Sequence, residues 1–425
     1  MSDIRPFRGL RPRVDLATQV ASPPYDVMNS AEAKAMAGDN KFSFLHVIKP
    51  EIDLEQGINP YDDKVYAKGA ENLQRLIADG ALVKEKQPCF YIYQQKMGDH
   101  IQTGVVAGAS VDEYETGKIK KHEFTRPDKE DDRTRHVNSL NANTGPVFLT
   151  YAETGEVDAF VNKVRARTPE YDFVSDDGIG HTLWIVSDQS EIAELAAAFK
   201  QVPHLYVADG HHRSASATRV RKIRRDDNAS HSGDEEYNYF LTVIFPDTQM
   251  KIMAYNRVVF DLNGQSEADF LKAVGEKFDV TPATSPEPAG GHTFCMYLSG
   301  KWHQLVAKAG TFPADDPVAS LDCAILQDNL LGPILGIDDP RTNKRIDFVG
   351  GIRGTGELEK RCGEGAAVAF SLYPTSIEQL MSVADAGKVM PPKSTWFEPK
   401  LRSGLSPGLS KDNWSGRPSS RPALG

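Results

Sequence analysis

The 425-residue sequence predicts a mixed α/β (α+β) protein with at least two lobes. Three observations predict it. Short apolar runs alternate with amphipathic helical stretches along the chain; 40% hydrophobic and 25% charged residues are the mix of a globular protein with a sizeable core; and the pattern restarts beyond Leu262.

Taken in order, Tyr66, Ala70, Leu73 and Ile77 recur at three- and four-residue steps, so 61–79 reads as a helix that Gly80 stops. The runs 87–95 and 103–111 read as strands joined by a hairpin around Gly98. Further strands are predicted at 146–151, 181–186, 204–208, 237–245 and 253–260, and helices at 157–165, 190–200, 214–225 and 267–277. Strands at 292–299 and 301–306 follow. The predicted division is 1–262, which carries most of the candidate motifs, then a C-terminal α/β lobe at 263–405, then a Ser-, Gly- and Pro-rich tail at 406–425 expected to be disordered.

A net charge of −10 argues against nucleic acid or an anionic membrane as partner, since both need a clustered positive field. No window approaches the roughly 18 apolar residues of a membrane span and the start lacks an apolar signal core, so a cytoplasmic location is expected. Cys89, Cys295, Cys323 and Cys362 show no paired spacing and read as free core thiols.

Three stretches could carry chemistry. In VADGHHRSASATRV, 207–220, a strand ends at Asp209, Gly210 permits a sharp turn, and a helix starts near Ser214. Amides at a helix start accept an anion, and Arg213 adds a bidentate fork for phosphate. Asp209 is a candidate Mg²⁺ ligand, and His211 and His212 are candidates for proton transfer or phosphate contact. The competing reading is a polar turn in which Asp209 caps the helix.

The second stretch, KKHEFTRPDKEDDRTRH, 120–136, reads as a charged loop feeding a buried strand. Such runs are commonly solvated surface. Its functional reading makes Glu123 a general base and His122, Arg126, Arg135 and His136 substrate contacts. The third is MPPKSTWFEPKL, in which Pro391 and Pro392 forbid helix and display Lys393, Ser394 and Thr395 for a substrate carboxylate or phosphate. A strap that packs Trp396 and Phe397 on the body is the alternative. ASPPYDV, 21–27, is equally ambiguous, with Tyr25 and Asp26 as its polar candidates.

SPPYDV, HEFTRPDKEDDRTRH, NTGPVFLTY, ADGHHR and MPPKSTWFEPKL occur in the order that resembles the bacterial and archaeal domain of unknown function 1015 family, over nearly the whole chain. ADGHHR is also similar to the Asp-Gly-His-Thr-Arg motif of free-serine kinases with the ParB/sulfiredoxin-like fold. That resemblance implies a ParB/sulfiredoxin-like core and nucleotide phosphates held by Asp209, Gly210, His211 and Arg213, with Ser214 at the helix start. His212 replaces the usual threonine, and Asn256 stands before Arg257 where the resemblance implies His-Arg.

The expected activity is nucleotide-dependent phosphoryl transfer, with Mg²⁺ and ATP or ADP, to a small hydroxyl substrate, free L-serine first. Asp209 and His211 join Glu123 as catalytic candidates. The alternatives are a nucleotide-binding regulatory or scaffold protein without turnover, and a metal-dependent hydrolase with His122, Glu123, His211 and His212 as ligands.

Overall fold

The computed structural model describes residues 2–405 and 408–409. The chain forms two compact units: the first holds residues up to 120, 124–250 and the chain from 399, and the second holds 121–123 and 251–398.

The first unit is built on a mixed sheet, in the order Ile119–Lys120, Leu205–Asp209, Val147–Tyr151, Tyr239–Pro246, His100–Ser110, Phe90–Met97, Gly180–Val186, Tyr171–Val174, with Ile4–Arg5 also pairing with His100–Ser110. Leu205–Asp209 runs parallel to Ile119–Lys120, and Tyr239–Pro246 parallel to Val147–Tyr151; the other pairs are antiparallel. The predicted hairpin closes at Met97 and His100, with Gly98 at φ 59° supplying the left-handed turn residue. Helices Gly155–Arg165 and Gln189–Phe199 lay Val157, Phe160, Leu195 and Phe199 into one core with Ile92, Val147 and Val207. Burying such side chains contributes roughly 1.5–3 kcal/mol each. Phe44, Val47, Leu73, Leu76 and Leu140 form a second core with helix Asp63–Ala78, which matches the predicted 61–79 closely.

The charged run read as a loop is instead largely the helix Pro127–Leu140. Pro127 sits in its first turn, where a missing N–H costs nothing. The buried positions are Asp132, Thr134, His136 and Leu140, so the inward face is mostly polar. Hydrophobic periodicity therefore had nothing to register.

The second unit carries an antiparallel sheet in the order Phe278–Pro282, Lys301–Ala307, Thr293–Leu298, Val368–Leu372, Tyr255–Val259, Ile346–Gly350. Tyr255–Val259 belongs here, so this unit begins before the predicted junction at 262, and the chain rejoins the first unit at Pro399. Within the 406–425 tail, Gly408–Leu409 pairs with Ala142–Asn143; the rest of that expectation lies outside the described residues. All four cysteines are free thiols. Among the described residues no helix is long and apolar enough to cross a membrane.

Candidate functional site

The predicted strand, turn and helix form at 205–226, with the helix starting at His211, three residues before the expected Ser214. Strand Leu205–Asp209 shifts register between Val207 and Asp209, a bulge that re-aims the strand end. Gly210 follows at φ 97° and opens helix His211–Asp226. Gly210 at the N-cap has no side chain to offer, no acid lies in the first turn, and Asp209 spends its carboxylate on Lys400, so Asp209 is not the cap that the competing reading required. The start of a helix of this length has a positive dipole end that suits an anion.

Asp209 is an ion-pair partner. Lys400 Nζ donates to its Oδ2 at 3.2 Å, and Arg213 Nη2 lies 3.9 Å from the same oxygen. Arg213 also faces Asp26 Oδ2 at 3.6 Å and donates from Nη1 to the Pro146 carbonyl. Burial alone would raise the Asp209 carboxyl, but Lys400 and Arg213 outweigh it and hold the group ionised far below the usual carboxylate range. Lys400 itself is anchored through its carbonyl, which accepts from Gln95 Nε2 at 2.9 Å. The Arg133 guanidinium lies 3.9 Å above the Tyr25 ring and pairs with Asp132 at 2.7 Å. Asp132 in turn accepts from the Tyr66 hydroxyl at 2.9 Å. Tyr25, Asp26, Arg133 and Lys400 thus extend the site beyond the residues assigned to it from sequence. Tyr25 and Asp26 were visible in ASPPYDV and Lys400 in MPPKSTWFEPKL, but neither motif reveals its partner.

Several assigned residues have other work. His212 Nε2 accepts the Arg126 amide at 3.1 Å, which joins the turn to the start of helix Pro127–Leu140. The Arg126 side chain pairs with Asp128 at 2.9 Å. Ser214 is fully buried and its hydroxyl donates back to the His211 carbonyl at 3.0 Å, so it does not face a ligand. Arg135 binds the Tyr61 carbonyl and Asp63 and stacks 4.3 Å from the Tyr66 ring, fastening two helices. His136 is buried with Nε2 donating to the Val47 carbonyl at 3.0 Å. Arg135 and His136 thus have structural partners within the first unit.

His122, Glu123, Lys393, Ser394 and Thr395 belong to the second unit. There the Met390 amide donates to the His122 carbonyl, Ser394 lies 3.0 Å from Cys323 Sγ, and Thr395 precedes the short strand Trp396–Phe397. Asn256, the departure noted above, is buried, and its Oδ1 accepts the Leu372 amide across the sheet at 3.1 Å.

Asp209 Oδ2 is already paired with Lys400 and Arg213, so a resident Mg²⁺ would have only Asp209 Oδ1 to use beside two cations, a poor fit. Among the described residues no three His, Cys, Asp or Glu side chains gather to hold a metal, so the ligand set of the hydrolase reading is not assembled.

Gly210 is required twice over. A Cβ there would sit 3.1 Å from Arg213 Cζ and Nε, on a backbone at positive φ. Gly210→Ala is expected to lower stability by about 1–3 kcal/mol, read as a drop in the urea midpoint. An unchanged midpoint would contradict the close approach of the guanidinium.

Fold and turn together define a mixed α/β protein with a strand–turn–helix site dominated by ion pairs. The profile of the family described as "Protein of unknown function (DUF1015)" matches residues 4–324, well over half of the sequence, and the chain belongs to that family. No curated protein matches the chain. Among solved structures it is similar to a free serine kinase variant in complex with ADP, at 13% identity and a TM-score of 0.34, covering 71% of this chain and 92% of that one. It is also similar to C-terminally truncated SbnI from Staphylococcus aureus, at 13% identity and TM-score 0.36, covering 72% and 87% of the two chains. A conserved hypothetical protein from Pyrococcus furiosus matches at 13% identity and TM-score 0.33, covering 72% and 95%.

Proposed function

We propose that the protein is a nucleotide-dependent phosphotransferase acting on a small hydroxyl substrate, with free L-serine the first candidate. The observation that carries this reading is the pair of cations, Arg213 and Lys400, that converge on Asp209 at the glycine-opened start of helix His211–Asp226. Nucleotide phosphates on the first-turn amides would draw on both cations, with ATP or ADP as donor. Asp209 serves here as the counter-ion that holds Arg213 and Lys400 in place, a positioning role in a reaction governed by charge placement. Magnesium would enter with the nucleotide, and no step is assigned to it.

Both carboxylates at the turn, Asp209 and Asp26, are paired with cations. Asp209, held by two cations, is thereby a weak proton acceptor. That observation also favours the second reading, a regulatory protein that binds nucleotide without turnover. Glu123 remains the base assigned from sequence, and Glu123→Gln tests it by loss of turnover with nucleotide affinity kept.

Phosphorus NMR of the protein with Mg²⁺, ATP or ADP and a pool of hydroxylated amino acids and sugars decides between the readings. A new phosphomonoester signal, absent with Asp209→Ala, is the expected result. Bound nucleotide with no new ester would overturn transfer and leave the regulatory reading.

A further inference from the structure

The second unit contains a cavity of about 270 Å³, just below the roughly 300–1,000 Å³ of small-molecule sites and far beyond the space one water needs. Its lining includes Arg257, Asp338, Phe348, Pro391 and Pro392. Gln327 and Leu331, the two ends of a π-helical turn, line it as well. Such turns recur at functional sites because they open the helical hydrogen-bond ladder.

Two charges in this lining are uncancelled. Arg257 is only 3% exposed, yet among the described residues no carboxylate lies within 4 Å of it. Its Nη1 donates to the Tyr255 carbonyl and its Nη2 to the Lys393 carbonyl at 3.1 Å; its remaining N–H groups have no protein acceptor among the described residues. The guanidinium also lies 5.2 Å from the Phe348 ring centre. Burial holds its pKa below the ordinary arginine value, the mark of a charge that the protein does not balance. At the exposed rim, Asp339 and Arg341 cancel each other in a two-pronged pair with both contacts at 2.9 Å. Asp338 beside them has no ion-pair partner among the described residues.

Lys393 holds a left-handed backbone at φ 59°, unusual for a residue other than glycine, and from it offers the carbonyl that Arg257 uses. The Pro-Pro-Lys strap therefore builds the wall of this cavity and braces its cation.

A buried cation, an exposed carboxylate without an ion-pair partner among the described residues and apolar side chains in one lining complement a small zwitterion. We propose that this cavity is an amino-acid binding site, the ligand carboxylate on Arg257 and its ammonium toward Asp338. The inference does not rest on phosphoryl transfer, since every residue in it belongs to the second unit.

The test is calorimetric titration of the full chain with each standard L-amino acid. The best binder is then compared with the 2-hydroxy acid and the primary amine that carry the same side chain, and with inorganic phosphate. One or more amino acids should bind, and both truncated counterparts should bind at least about tenfold more weakly, the loss of one charged contact. Arg257→Lys should weaken the amino acid about tenfold or more by losing the planar fork. Asp338→Asn, on the exposed rim where folding is not at stake, should weaken the amino acid and leave the hydroxy acid unchanged. Absence of binding by every amino acid, unchanged affinity in Asp338→Asn, or tighter binding of phosphate would each overturn the proposal.

Discussion

Replacing Arg213 with alanine is expected to abolish turnover and to weaken nucleotide binding by roughly 10- to 150-fold. That is the loss of one hydrogen bond to a charged group, about 1.5–3 kcal/mol. The direction follows from what Arg213 touches. Its guanidinium packs against Gly210, faces both Asp209 and Asp26, and is tied to the Pro146 carbonyl, so it is fixed before any ligand arrives. A fixed fork loses little freedom on binding phosphate. Arg213→Lys keeps the charge without the fork and should recover only part of the affinity. The removal also leaves Asp26 without its cation while Asp209 keeps Lys400, so a modest fall in melting temperature should accompany the loss. Nucleotide affinity equal to the wild type in a folded Arg213→Ala protein would remove the phosphate role of the turn.

The parts of this site differ in how far the sequence exposes them. The strand–turn–helix at 205–226 is legible because an apolar run, a glycine and a helical stretch follow one another within a few residues. The hairpin at Gly98 and the helix Glu267–Lys277 are legible for the same reason, since turn chemistry and periodicity are local. Lys400 is a different matter. It meets Asp209 across 191 positions of sequence, carried there by a segment that leaves the second unit at Pro399 and pairs Ser403 with Ser22. No local pattern encodes such a return. The helix Pro127–Leu140 escaped because its inward residues are charged and hydroxylated, and their burial depends on partners such as Tyr66 and Val47. His136 shows the same dependence: its imidazole is spent on a backbone carbonyl in the core.

That burial makes His136 a measurable acid-lability element, together with His181. Burial, reinforced by Arg133, takes His136 from an ordinary 6.5 to about 3, and burial beside Arg402 does the same for His181. The hydrogen bonds agree. Arg402 Nε donates to His181 Nε2 at 3.3 Å, and Tyr93 faces Nδ1 at 2.7 Å, a pattern that a neutral ring satisfies. A depressed histidine leaves the native state with fewer protons than the unfolded chain. Its stabilisation is therefore full above about pH 6.5 and is lost as pH falls toward about 3. Each proton taken up on unfolding lowers stability by about 1.4 kcal/mol per pH unit in that window. Asp158 and Asp322, both raised to about 6 chiefly by burial, act in the opposite sense, gaining stability as pH falls below that value. The wild-type curve alone is consequently blunted, and the informative quantity is a difference between proteins. His136→Gln removes one titrating group, so its deficit relative to wild type in urea unfolding should shrink by about 1.4 kcal/mol per pH unit below pH 6.5. His181→Gln should do the same. Deficits that stay constant from about pH 7 to about pH 5 would show that these rings titrate alike in the folded and unfolded chains.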